Sequence, residues 1–187
     1  MPLLLAGITV WCLVHLFPGV APRSRENLVL KLGENPYKGL FSLFILAALL
    51  MIVFGWKAAA PTHVYAPLLA PGIVPSGLVL IGLILFFSAR LNGTVKRFIR
   101  HPQLTGVIAW SAAHLLTNGD SRSVALFGAL GVWAILEIVF INRREGSRGA
   151  LPALSVRHDA VAVVIGGVAF ALVAIFHEWL FGAAVLT

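Results

Sequence analysis

Apolar and polar residues in this chain fall into long blocks, not the short periods of a water-soluble fold. Six apolar blocks stand out, at 3–17, 37–56, 72–89, 103–117, 124–141 and 160–186. Blocks of this length match the roughly 17–25 apolar residues that a helix needs to cross a bilayer, the first and fourth being short for it. The first block also resembles the core of a signal peptide. It has no basic residue ahead of it, and Phe17-Pro18-Gly19 is a poor cleavage context, so it is read as a helix that is kept. The pattern predicts an all-α polytopic membrane protein with about six transmembrane helices.

Between the blocks, the basic residues take sides. Arg23, Arg25, Lys31 and Lys38 follow the first block, Arg90, Lys96, Arg97 and Arg100 the third, and Arg143, Arg144, Arg148 and Arg157 the fifth. Only Lys57 and Arg122 lie in the alternate loops. Lysine and arginine accumulate on the cytoplasmic side of membrane spans. That asymmetry predicts both termini on the outer side of a bacterial inner membrane. One further segment, "PRSRENLVLKLG" at 22–33, places Leu28, Val29 and Leu32 at helical spacing with charges opposite, as in a short interfacial helix. Pro61, Pro67, Pro71 and Pro75 predict an irregular loop between the second and third spans. Asp120, in the turn signal Asn118-Gly119-Asp120, is placed to cap the fifth helix.

Composition agrees with the pattern. Of 187 residues, 59% are hydrophobic and 11% charged, with a mean hydropathy of +0.95. Soluble domains carry about 25% charged residues, so too little polar surface exists here to coat a globule. The net charge of +7 is accounted for by the loops flanking the spans, which argues against a nucleic-acid partner and for the lipid bilayer as the main one. No repeat and no soluble domain is visible, so residues 1–187 read as one membrane domain. A single cysteine, Cys12, lies in an apolar block, where it packs rather than bridges.

The chemistry then rests on a few ionisable side chains. His15 follows "WCLV" in the first span and His114 follows "WSAA" in the fourth, each without a carboxylate within one turn. An ionisable group inside a bilayer is costly and is retained for a role. Each histidine is open to two readings: a hydrogen bond across helices, or a metal ligand. His101 and His114 lie about 20 Å apart along one helix, so they do not share a metal. His15 and His114, on different helices, form the pair that suits one iron or another metal. Gly106, Ala109, Ser111, Ala112 and Ala113 leave little side chain beside His114, which suits either close helix packing or a flat ring. Arg100 and His101 precede Pro102 at a helix start, where a headgroup or a cofactor carboxylate is the expected contact. His63 and His158 read as solvated, and His177 as lying near an interface with Trp179. Glu137 needs a partner within its span, with Arg143 and Arg144 one to two turns on. Trp110 and Trp133 read as packing residues.

Two of these stretches carry a resemblance. "HLFPGVAPRSRENLVLKLGENPYKGLFSLFILAALLMIVFGW" and "RHPQLTGVIAWSAAHLLTNGDSRSVALFG" resemble the NnrU family of membrane proteins over about 15–143, through the patterns RHPxxxG and WxxAHLxxNGD. The bacterial family is associated with denitrification and nitric-oxide metabolism. Its plant relative, zeta-carotene isomerase, carries haem b on histidines and acts on a cis double bond when the iron is reduced. The resemblance implies haem b as cofactor, His15 and His114 as its ligands, and nitric oxide or a polyene as the small molecule met there. It also implies that His101 lies in the shared basic corner. A weaker likeness runs to isoprenylcysteine-type membrane methyltransferases, which use S-adenosylmethionine and carry RHPxYxG. Here Leu104 stands for the tyrosine, and Glu137 and Glu145 stand apart instead of as a pair. A third alternative is a haem-bearing sensor or an assembly factor for a respiratory complex, with no reaction of its own.

Overall fold

The computed structural model describes residues 1–182. Among these, the regular elements are seven helices: α1 (Pro2–Val20), α2 (Pro22–Leu32), α3 (Glu34–Ala58), α4 (Ile73–Ser88), α5 (Pro102–Thr117), α6 (Ser121–Glu145) and α7 (Val156–Phe181). A single 3-10 turn, Thr94–Arg97, precedes α5. Each apolar block of the sequence is therefore a helix, and 22–33 is one as well. The end of the last block, 183–186, lies outside the described residues. Four helices, α1, α3, α6 and α7, are long and apolar enough to cross a membrane. The other two apolar helices, α4 and α5, have 16 residues each. At 1.5 Å per residue that is about 24 Å, short of a hydrocarbon core of about 30 Å.

Helix boundaries follow local chemistry. Pro2, Pro22 and Pro102 open α1, α2 and α5, where a missing N–H costs nothing. Pro75 falls in the first turn of α4 and so belongs to the helix and not to the loop before it. Helix α1 runs through Pro18 to Val20, further than the apolar block. Gly33, at φ 86°, adopts the left-handed backbone that separates α2 from α3. Asp120 caps α6 as expected, accepting from the backbone N–H groups of Arg122 and Ser123. The first stretch of α6, Val124–Gly128, widens into a π-helical turn.

The chain forms two compact units. The first holds residues 1–64 and 120–146. There α3 runs antiparallel to α1, with Gly55 over Leu4 and Gly7 over Ile52. A Cβ on Gly7 would stand 2.8 Å from the Ile52 nitrogen, and one on Gly55 would meet the backbone of Leu4 closer still. Helix α6 lies along α1 in the same direction, from Ala125, Leu126 and Ala129 beside Leu4 to Phe140 beside Gly19. Leu4, Ile8 and Ile52 are the buried centre. At the far end of α3, Arg122 donates to the carbonyls of Trp56 and Ala59 and lies 4.7 Å above the Trp56 ring.

The second unit holds, among the described residues, 65–119 and 147–182. Its central helix is α4, crossed by α5 at Gly82 and Gly106, where each glycine faces the other's carbonyl. Gly166 of α7 meets Ile84 on another side of α4. Asp159, in the first turn of α7, accepts from the backbone N–H of Thr94 and Val95 and from the Thr94 hydroxyl. Ser155 and His158 both bind the carbonyl of Asn92. Tyr65 closes the other end, its hydroxyl donating to the carbonyls of Leu115 and Asn118. In lipid no hydrophobic force drives helices together, so close approach at small residues supplies the packing instead. Consistent with a bilayer setting, α7 exposes Val164, Ile175 and Trp179, the last 82% accessible.

Candidate functional site

A tryptophan four residues before a histidine occurs in each unit, and both pairs fold alike. On an α-helix residues i and i+4 share a face. His15 Nδ1 lies 2.9 Å from the Trp11 carbonyl, and His114 Nδ1 lies 2.9 Å from the Trp110 carbonyl. A carbonyl oxygen only accepts, so Nδ1 carries the proton in both rings. In a neutral imidazole the lone pair then sits on Nε2, the form that binds a metal. The indole packs beside each imidazole, at 4.4 Å in the first unit and 5.0 Å in the second.

The surroundings of His15 are aromatic. Besides Trp11, the edge-on rings of Trp133 and Phe41 stand 5.0 and 5.7 Å away. Trp11 and Trp133 meet edge to face at 5.9 Å. The indole N–H groups of Trp11 and Trp133 are buried without a hydrogen-bond partner. Glu137 is 8% exposed and sits one turn after Trp133. The Trp133 N–H approaches its carboxylate without closing a hydrogen bond. Arg144 acts on Glu137 only through space, its own close contact being Glu145 at 3.5 Å. Trp133 is thus a wall of the His15 site as well as a packing residue. Its position, far along the chain from His15, leaves no local signal in the sequence.

His114 lies three residues from the end of α5, in more polar company. Its carbonyl accepts from the backbone and side-chain amides of Asn118, at 2.8 and 2.9 Å. His177, on α7, interacts with it electrostatically. No sequence signal points to this neighbour, because the apolar pattern of α7 marks a span without telling which helix it faces. Trp179, two residues on, is on the exposed side. The small residues beside His114 divide by face. Gly106 is taken up by contact with Gly82, and Ser111 and Ala113 are buried. For Gly106 the reason for small size is close helix packing.

Arg100 and His101 stand at the opposite end of α5 from His114. His101 is the N-cap position, and it caps with no side-chain hydrogen bond. Its carbonyl accepts from the N–H and hydroxyl of Thr105. Around it the second unit gathers Lys96, Arg97 and Arg148, the Arg148 guanidinium donating to the carbonyls of Lys96 and Arg97. His15 belongs to the first unit, and His114, Arg100 and His101 to the second.

Outside the two Trp–His turns, Asp120 accepts from the N–H groups of Arg122 and Ser123 and from the Ser123 hydroxyl. Partial burial raises its pKa, but the Ser123 hydroxyl and N–H, the Arg122 N–H and the Arg122 charge together outweigh burial and leave it below the usual value.

Neither the curated proteins nor the solved structures contain a match to this sequence. The family described as NnrU protein matches residues 3–185, which is nearly the whole chain and includes both Trp–His turns. The chain belongs to the NnrU family.

Proposed function

We propose that this chain is a six-span membrane protein of the bacterial inner membrane that binds haem b, with His15 and His114 as the ligating imidazoles. The observation that carries the reading is the repeated turn: in each, a backbone carbonyl holds the Nδ1–H and turns Nε2 into the metal-binding nitrogen. The donor chemistry fits iron, because imidazole nitrogen is a usual axial ligand of haem. When bound, haem b supplies a redox-active iron able to meet nitric oxide or, reduced, a polyene double bond. The protein's own residues do the rest. The carbonyls of Trp11 and Trp110 fix the tautomer, and the indoles fix the ring planes. Trp133 and Phe41 keep water from His15. Arg100 and His101 are the proposed contacts of a cofactor carboxylate. Denitrification and nitric-oxide metabolism are the setting that family membership favours.

The test is the Soret spectrum of detergent-purified protein, made with ample haem supply, for the wild type, His15→Ala and His114→Ala. Each substitution is expected to lower the haem content or shift the band. Equal haem in all three would falsify the ligand assignment, and no haem in the wild type removes the cofactor itself. Arg100→Gln is expected to weaken haem retention without shifting the band; full retention takes Arg100 out of the site. The span count has its own test in a Cys12→Ala background. New thiols at Ser24 and Ser147 should resist an impermeant reagent in intact cells, and one at Thr62 should react. Labelling of Ser147 from outside breaks the six-span arrangement.

A further inference from the structure

At the basic end of the first unit, where α1 and α6 finish and α3 begins, a cavity of about 630 Å³ opens beside α2. Arg25, Lys38 and Arg144 line it, with Glu26 as the one carboxylate on its wall. A second cavity of about 250 Å³ adjoins it and is apolar, lined by residues such as Val14, Phe17, Leu28 and Phe44. Tyr37 and Phe41 line both. We propose that the two together bind one anionic phospholipid, its phosphate among Arg25, Lys38 and Arg144 and an acyl chain in the apolar cavity.

Charge, hydrogen bonding and shape each favour that occupant. Three cations against one carboxylate attract an anion, and arginine matches phosphate oxygens with paired N–H groups. Two of the cations already have partners, Lys38 with Glu34 at 2.7 Å and Arg144 with Glu145 at 3.5 Å. Both pairs are largely exposed, 65%/70% and 44%/50% accessible, so they hold their cations weakly and yield to a phosphate. The third, Arg25, lies 5.6 Å over the Tyr37 ring. The Tyr37 hydroxyl is buried and makes no hydrogen bond. A buried hydroxyl without an acceptor is costly, and a phosphate oxygen in the first cavity supplies one. A soluble anion has no use for the apolar cavity, whereas an acyl chain does. Helix α2, exposed along nearly its whole length and amphipathic, places the entrance at the depth of lipid headgroups. The proposal does not depend on haem: His15 touches Phe41 but lines neither cavity.

Native mass spectrometry of the full-length protein in detergent tests the site. Phosphatidylglycerol and phosphatidylcholine of matched chains are added in equal amounts, with and without millimolar inorganic phosphate. The wild type is expected to retain phosphatidylglycerol about tenfold better, a factor of the size a charged hydrogen bond gives. Arg25→Gln with Arg144→Gln should bring the ratio near one, and Tyr37→Phe should lower it severalfold with the fold intact. Leu28→Asp should weaken both lipids. Equal retention of the two lipids by the wild type overturns the proposal. So does selectivity that survives in Tyr37→Phe and in the arginine variant. Displacement of the lipid by inorganic phosphate identifies a free-anion site and overturns the lipid assignment.

Discussion

In both units the Nδ1–H of a histidine meets a tryptophan carbonyl one turn earlier, at the same 2.9 Å. What closes around the two rings differs. His15 is walled by the rings of Trp11, Trp133 and Phe41. His114 has the Trp110 indole beside it, and a second imidazole, His177, lies within electrostatic reach. One backbone device therefore serves two kinds of site. The first holds an imidazole by packing, which tolerates no change of ring shape. The second places it within electrostatic reach of another imidazole.

Breaking the units themselves should give the largest effects. A Cβ at Gly55 or Gly106 runs into backbone of the facing helix, and backbone yields less readily than a side-chain end. Gly55→Ala and Gly106→Ala are each expected to cost at least the roughly 1–3 kcal/mol of overpacking. Gly167→Ala, where a Cβ meets nothing within 4 Å, should cost nothing measurable. Thermal melts in detergent check this, and a loss at Gly167 equal to that at Gly106 would contradict the glycine crossings.

The next effect separates the two histidine sites. Trp133 is 7% exposed, whereas Trp110 is only half-buried. Trp133→Ala is expected to destabilise by about 3–5 kcal/mol, the range for a buried tryptophan, and Trp110→Ala by clearly less. Equal costs in the same melts would erase the difference between the two indoles.

The smallest effect lies at the start of α6, outside both sites. Asp120→Ala should cost about 0.5–2 kcal/mol through loss of the cap. Because the folded carboxyl titrates below its ordinary value, its contribution is complete above the unfolded pKa and is lost as pH falls through the folded one. Asp120→Asn should therefore keep much of the cap while flattening the acid side of a stability–pH curve. A curve identical to wild type would show that the hydrogen bonds to Asp120 do not hold its charge.

Much of this architecture is written in the order of residues. The apolar blocks are helical over their described interiors because the one proline among them, Pro75, falls in a first turn, and Asp120 reads as a cap because its side chain accepts from N–H groups two and three residues on. The histidines stand out because each is a polar residue in an apolar run. What stays hidden is pairing. Gly82 with Gly106, Trp133 with His15 and His177 with His114 join positions far apart in the chain. Hydropathy repeats along a helix and carries no record of which helix it meets. Trp133 reads only as a packing residue, with no partner named, until α6 is laid along α1. The basic end of the first unit was likewise legible as charge. That Arg25, Lys38 and Arg144 ring one cavity was not, since they come from three different helices.

The π-helical turn at Val124–Gly128 sets the angular phase of everything after it in α6. A π turn takes up an extra residue, and one residue of α-helix is about 100° of rotation. Upstream of it, Arg122 is aimed at Trp56; downstream, Trp133 and Glu137 point inward. With an uninterrupted α-helix these two halves would disagree by that angle, and one of them would face lipid. Removing a single residue from 124–128 should thus act like turning a dial by one position: the helix would remain, but the indole that walls His15 would swing out of register with it.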